Sequence, residues 1–116
     1  MTPPAFRPAP RITGVKLTTT GQTTIYTAAG NNMNEVVEWV HVSNTTASPA
    51  TVILEWTDSS AATTYKLVGG QNVPANVAIR LELGVGLPPG DAIKATAGTA
   101  NALEIVIAVA EMGRSS

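Results

Sequence analysis

Two stretches of this chain place a large apolar residue at every second position, and that period sets its fold class. In residues 51–57, Val52, Leu54 and Trp56 share one side, while Thr51, Ile53, Glu55 and Thr57 take the other. In residues 77–83, Val77, Ile79, Leu81 and Leu83 oppose Ala78, Arg80 and Glu82. A repeat of two sends successive side chains to opposite faces of a strand, whereas a helical face needs apolar residues three and four apart. Six further segments read as strands. Residues 12–19 set Ile12, Gly14 and Lys16 against Thr13, Val15 and Leu17. Residues 23–28 oppose Ile25 and Thr27 to Thr24 and Tyr26. Residues 91–97 carry Ile93, Ala95 and Ala97 on one face, and residues 103–112 carry Leu103, Ile105, Ile107 and Val109. In residues 63–68, Tyr65 and Leu67 fall together. Residues 35–43 are apolar on both faces, as in a strand at the middle of a sandwich or at an interface.

Gly, Pro, Asn and Ser fall between these segments at 29–32, 44–50, 58–62, 69–70, 74–76, 84–90 and 98–102, where turns are expected. No stretch shows a capped helical period. About eight strands with a turn roughly every ten residues predict an all-β chain, a single antiparallel β-sandwich or jelly roll over residues 12–112. A length of 116 residues suits one domain.

Residues 1–11 have a different character. Pro3, Pro4, Pro8 and Pro10 fix φ and remove backbone donors, which excludes a helix or a central strand. An extended Pro-rich N-terminal arm is expected, reaching about 30 Å at ~3.1 Å per residue. Phe6, Arg7 and Arg11 are its candidate gripping points for a partner, against the alternative of a leader that binds nothing. Residues 113–116 read as a tail.

Charge and composition narrow the function classes. Charged residues are 13% of the chain, about half the usual share, and the net charge is −1. Without a basic excess, nucleic acid and anionic membrane surfaces are not expected partners. There is no cysteine, which excludes a disulfide, a thiolate zinc site and a Cys nucleophile, and suits assembly in a reducing cytosol. No apolar run approaches the ~20 residues of a membrane helix. The N-terminal segment has no apolar core of the kind a signal peptide needs.

Candidate chemistry is sparse, and no enzyme activity, cofactor or metal is expected. His41, the single histidine, sits between Val40 and Val42 and lacks an evident nucleophile and orienting carboxylate. Glu35, Glu38, Glu55 and Asp58 have no metal-ligand or acid–base spacing and read as solvated strand faces. The run from Gly84 to Gly90 lacks the Lys-Ser/Thr and helix of a phosphate loop, so its two prolines read as a rigid corner. Asn44-Thr45-Thr46 matches a glycosylation sequon that carries no weight without a secretory signal. Trp56 shares parity with Val52 and Leu54 and is expected in the core. Val37, Trp39 and His41 share a parity expected to form an oligomer interface, and outward Ile53 and Val106 extend the case for covered faces.

Several runs carry a family resemblance. Residues 17–28 (LTTTGQTTIYTA), 40–52 (VHVSNTTASPATV), 73–76 (VPAN) and 87–95 (LPPGDAIKA) resemble small β-sandwich virion structural proteins of tailed bacteriophages, of the capsid decoration or cement type. The likeness spans about residues 12–112 and lies in turns and strands, with no catalytic signature. It implies a protein made in the host cytoplasm and displayed on the capsid surface, bound to the major capsid protein, and forming a homotrimer. A tail or head–tail junction component in larger rings stays open, as does a carbohydrate- or receptor-binding module built on an exposed Trp39 or Tyr65.

Overall fold

The computed structural model describes residues 11–29 and 34–112. Eight strands follow in order: β1 (Arg11–Leu17), β2 (Thr23–Thr27), β3 (Asn34–Asn44), β4 (Ala50–Asp58), β5 (Thr63–Val73), β6 (Ala78–Leu87), β7 (Ala92–Ala97) and β8 (Leu103–Met112). No helix occurs among the described residues. The fold is all-β, as its alternation predicts.

The pairing is nested. β4 pairs with β5, β3 with β6, β2 with β7 and β1 with β8, all antiparallel. The chain therefore behaves as one long hairpin folded at the β4–β5 turn. Additional β3–β8 and β4–β7 pairing rolls that hairpin into two sheets, ordered β1-β8-β3-β6 and β2-β7-β4-β5. This is jelly-roll connectivity.

The core lies between the sheets. Val40 and Val42 of β3, Val52 and Leu54 of β4, Ile93 of β7, and Leu103, Ile107 and Val109 of β8 are fully buried. Each such side chain contributes about 1.5–3 kcal/mol from apolar burial. Leu17 and Ile25 close one flank, and Val73 the other.

Three departures from strict alternation, in β2, β3 and β5, have a common cause, the β-bulge. A bulge adds one residue to a strand and flips the parity beyond it. In β2 the register shifts between Thr24 and Tyr26, so Ile25 and Tyr26 are both buried, contrary to their expected opposition. In β3 the register shifts between Val37 and Trp39 against both neighbours. Val37 is fully buried inside its own sandwich, so it cannot line an interface with Trp39 and His41 as their shared parity implies. Gly69 and Gly70 lie within β5, where the register shifts twice; Gly70 has φ 135°. Gly84 and Gly86 lie within β6, and Gly84 has φ 63°. Glycine supplies these left-handed conformations at little steric cost, so the pairs serve bulges where turns were expected.

The turn is confined to the prolines. The Asp91 amide donates to the Pro88 carbonyl at 3.1 Å, with Pro89 and Gly90 (φ 88°) at the centre, the residue preference of a type II turn. At the other margin, β1 begins at Arg11 and Val77 lies outside β6, 43% exposed.

Candidate functional site

The two sheets present different faces to their surroundings. Cross-strand partners point the same way, so the register places side chains in rows. On the outside of the β2-β7-β4-β5 sheet, one row reads Thr24, Lys94, Glu55 and Lys66, and neighbouring positions are Thr51, Thr57, Thr64, Asn72 and Thr96. Ile53 is the one large aliphatic side chain there, half-buried opposite Thr96. That face is polar.

The outside of the β1-β8-β3-β6 sheet is apolar at its centre. Its rows read Ile12, Ala108, Trp39, Glu82; then Gly14, Val106, His41, Arg80; then Lys16, Glu104, Ser43, Ala78. Val36 and Ala110 extend it toward the start of β3. Ile12 is 53% exposed, and Trp39, His41 and Val106 are half-buried. Ala108 is buried between Ile12 and Trp39 although it points away from the core. Charge is held at the margins, where Lys16 pairs with Glu104 at 3.4 Å and Arg80 with Glu82 at 2.6 Å. The Arg80 guanidinium also sits 4.6 Å from the Trp39 ring centroid, a cation–π contact. This face of small residues around a tryptophan is the candidate interaction surface.

The β3 bulge adds one acidic group to it. Glu38 is the extra residue, exposed and next to Trp39, so two consecutive side chains stand outside the core. Glu38 has no hydrogen-bond or ion-pair partner among the described residues. Neither Glu38 nor Ile12 stood out in the sequence as part of a shared face. The bulge that sets Glu38 beside Trp39, and the pairing that brings Ile12 into their row, are visible only in the register.

Two polar clusters brace the sandwich. At the β3 end, the Tyr26 hydroxyl donates to Glu35 Oε1, the Ala29 amide donates to Glu35 Oε2 at 2.8 Å, and Arg11 Nη1 donates to the Tyr26 oxygen at 2.9 Å. Burial, then the hydrogen bond to the Glu35 carboxylate, pushes the Tyr26 pKa up to about 12. At the Pro88–Asp91 turn, Asp91 accepts from Trp56 Nε1 at 2.8 Å and from the Ser59 amide and hydroxyl at 3.0 Å each. Trp56 is thus half-buried at the sandwich mouth and stacks on Tyr65, with ring centroids 5.2 Å apart.

These positions sort the expected site residues. Trp39 and His41 share the outer face; Val37 does not. Arg11 is the first residue of β1 and is bonded to Tyr26 within the domain. Phe6 and Arg7 lie outside the described residues. His41 has Arg80 and Val106 as cross-strand neighbours, a cation and an aliphatic group instead of a nucleophile and a carboxylate. Among the described residues no group of three or more His, Asp or Glu side chains could hold a metal ion.

No family model and no curated protein matches the chain. Solved structures do. The chain is similar to a chain of the T13 infectious bursal disease virus particle, with TM-score 0.53 and 9% identity over 89% of this chain and 31% of that one. It also aligns to the Gx strain of infectious bursal disease virus, with TM-score 0.49 and 12% identity over 90% and 33%. A pentameric capsid protein isolated from metagenomic phage sequences aligns with TM-score 0.41 and 23% identity over 88% and 62%. The chain spans about a third of the two bursal disease virus chains and less than two thirds of the phage protein. At such identities the first likeness shows a shared fold and transfers no residue roles.

Proposed function

We propose that this chain is a virion structural protein that decorates and stabilises a phage capsid, bridging major capsid subunits and contacting copies of itself. The observation that carries this reading is the contrast between the faces. One sheet is polar outside; the other exposes Ile12, Trp39 and Val106 around small residues, a surface suited to cover by a protein. Two further points support it. The fold is shared with a chain of an icosahedral virus particle, an analogy at the level of fold. The turn-and-strand runs at 17–28, 40–52 and 87–95 resemble phage decoration proteins.

Size sets the mode of action. Four strands at about 4.8 Å spacing and six residues at about 3.3 Å give a face of roughly 400 Å². Two such faces bury about 800 Å², below the ~1,200 Å² of a stable pair. Single contacts of this size are weak, and a capsid lattice sums many of them. The test is light scattering of the purified protein, alone and with empty capsids, followed by sedimentation. A trimer that travels with capsids is the expected result. A monomer that ignores them overturns the reading, and a ring of six or more moves the protein to the tail.

One observation favours a second reading, glycan binding. Tyr65 is 47% exposed and is held rigid by its stack on the Asp91-anchored Trp56. Loss of glycan-array binding in Tyr65→Ala, with capsid binding retained, is the result expected of that role; an array that is blank for the parent protein removes it.

A further inference from the structure

We propose that Phe6 and Arg7 of one copy dock on Trp39 and Glu38 of a neighbouring copy, so that adjacent copies are tied by exchanged N-terminal arms. The inference rests on the reading of the chain as a self-associating virion component and names the partner of its apolar face.

Three observations carry it. The first is the acceptor. The β3 bulge sets a carboxylate with no partner among the described residues and a half-buried indole side by side on one surface. The second is the donor. Phe6 and Arg7 are likewise consecutive, and aromatic packing on Trp39 with a guanidinium–carboxylate pair at Glu38 satisfies both at once. Four of the first ten residues are prolines, which lack an N–H. Such a segment is poorly fitted to extend a sheet edge by ladder bonds and well fitted to an aromatic-bearing surface.

The third is the point of entry. Arg11 begins β1, the edge strand of this same sheet, and Ile12 stands on this same face in register with Ala108 and Trp39. The ten preceding residues therefore leave from the rim of the surface. A copy's own Trp39 lies two strands from β1, about 10 Å. Four residues reach about 12 Å when extended. Docking on the same copy would need the chain to reverse within Arg7–Arg11. Pro8 and Pro10 oppose that reversal, because the residue before each proline is held extended. Docking on a neighbouring copy asks for no such reversal.

The chain has no cysteine, so introduced thiols report alone. With Phe6 on Trp39 and Arg7 at Glu38, Ala5 falls toward His41 on the same face, so thiols at 5 and 41 leave all four docking side chains in place. Full-length Ala5→Cys and His41→Cys proteins are mixed in solution without capsids, oxidised, and the linked peptides counted by mass spectrometry. Ala5→Cys mixed with Glu55→Cys, on the polar face of the other sheet, is the control. Docking raises the effective concentration of the first pair, so the 5–41 link should exceed the 5–55 link by about tenfold. Adding Trp39→Thr to the His41→Cys protein should remove most of that excess. Equal links in both mixtures overturn the proposal. So does a double Ala5→Cys/His41→Cys protein that closes within one chain while the mixture gives no link, since the arm then docks on its own copy. Capsid sedimentation is read separately: a strong 5–41 link with no capsid binding keeps arm exchange and rejects decoration.

Discussion

The Trp56 indole N–H meets Asp91 Oδ2 at 2.8 Å, and the same buried carboxylate takes the Ser59 amide on its other oxygen. One side chain thus fastens the β4–β5 loop to the β6–β7 turn. Burial raises the Asp91 pKa, but the hydrogen bonds from the Ser59 amide, the Trp56 indole and the Ser59 hydroxyl outweigh it, and the net shift is below the ordinary 3.8. A depressed folded value gives stability that is present above the unfolded pKa and lost as pH falls through the folded one. Asp91→Ala removes the acceptor of three donors, the Trp56 indole and the Ser59 amide and hydroxyl, of which Ser59 is exposed and can turn to water; it should cost about 1–3 kcal/mol at neutral pH. Urea unfolding at pH 7 measures it. In Asp91→Asn the loss of stability on going to acid should be shallower; an unchanged acid limb removes Asp91 from the explanation.

Tyr26 supplies the alkaline counterpart. Burial and its bond to the Glu35 carboxylate hold its pKa up at about 12, against an ordinary value of 10.0. A raised folded value means the contribution is complete below pH 10 and is lost as pH rises through 12. The chain has two tyrosines, so Tyr65→Phe leaves Tyr26 as the only phenol. Ultraviolet titration of that variant should show tyrosinate forming near pH 12. A midpoint near 10 in the folded protein would contradict the buried Tyr26–Glu35 pair.

The fold class was legible because residues 51–57 and 77–83 keep an unbroken period of two, and β4 and most of β6 follow it. What parity counting cannot see is a bulge. It assigned Val37 to the face of Trp39, and one extra residue at Glu38 reverses the assignment. Glycine is ambiguous for the same physical reason, since the positive φ that makes Gly70 and Gly84 good turn residues also suits them to bulges. The nested pairing lies further beyond sequence reading. Arg11 meets Val109 across nearly the whole chain, and no local pattern records that partnership. Of the candidate face, Trp39 and His41 were visible as aromatic or polar interruptions of an apolar strand; Ile12 and Glu38 join them only through register.

Asn44 closes the β3–β4 turn with its whole amide. Nδ2 donates to the Ser48 and Val73 carbonyls at 2.8 and 3.0 Å, and Oδ1 accepts from the Thr46 amide at 2.9 Å. Asn44→Ala leaves buried backbone groups unpaired and should lower stability by about 2–3 kcal/mol. Asn44→Asp, which keeps the acceptor and loses both donors, should recover only part of that. Thermal unfolding of the three proteins side by side checks the order, and an Asp variant as stable as the parent would show that the two donated bonds contribute nothing.

Gly84 stands at φ 63° in β6, opposite the β3 bulge. An added Cβ meets no atom within 4 Å, so packing does not oppose a substitution there. Conformation does. Gly84→Ala should cost about 1–2 kcal/mol from the left-handed backbone alone. Gly86, without a positive φ and with only the Glu35 carbonyl at 4.0 Å, should tolerate alanine better. Equal losses at the two positions would show that the bulge does not impose the conformation at Gly84.

Val37 and Trp39 give the sharpest test of which side of β3 faces a partner. By size alone, the tryptophan should matter more to folding. The bulge reverses that ranking, because Val37 is fully buried while Trp39 stands on the outer face under Arg80. Val37→Asp places an unpaired charge in the core and should leave little folded protein, since that penalty exceeds the stability of a small domain. Trp39→Thr keeps a strand-forming residue and loses a cation–π contact of about 0.5–1 kcal/mol and some packing. It should fold with a modest drop in Tm. Its deficit should appear in association, as weaker self-contact or capsid occupancy at unchanged circular dichroism. Should Trp39→Thr unfold the protein while Val37→Asp does not, the two residues have exchanged places, and the outer face belongs to the Val37 side of the strand.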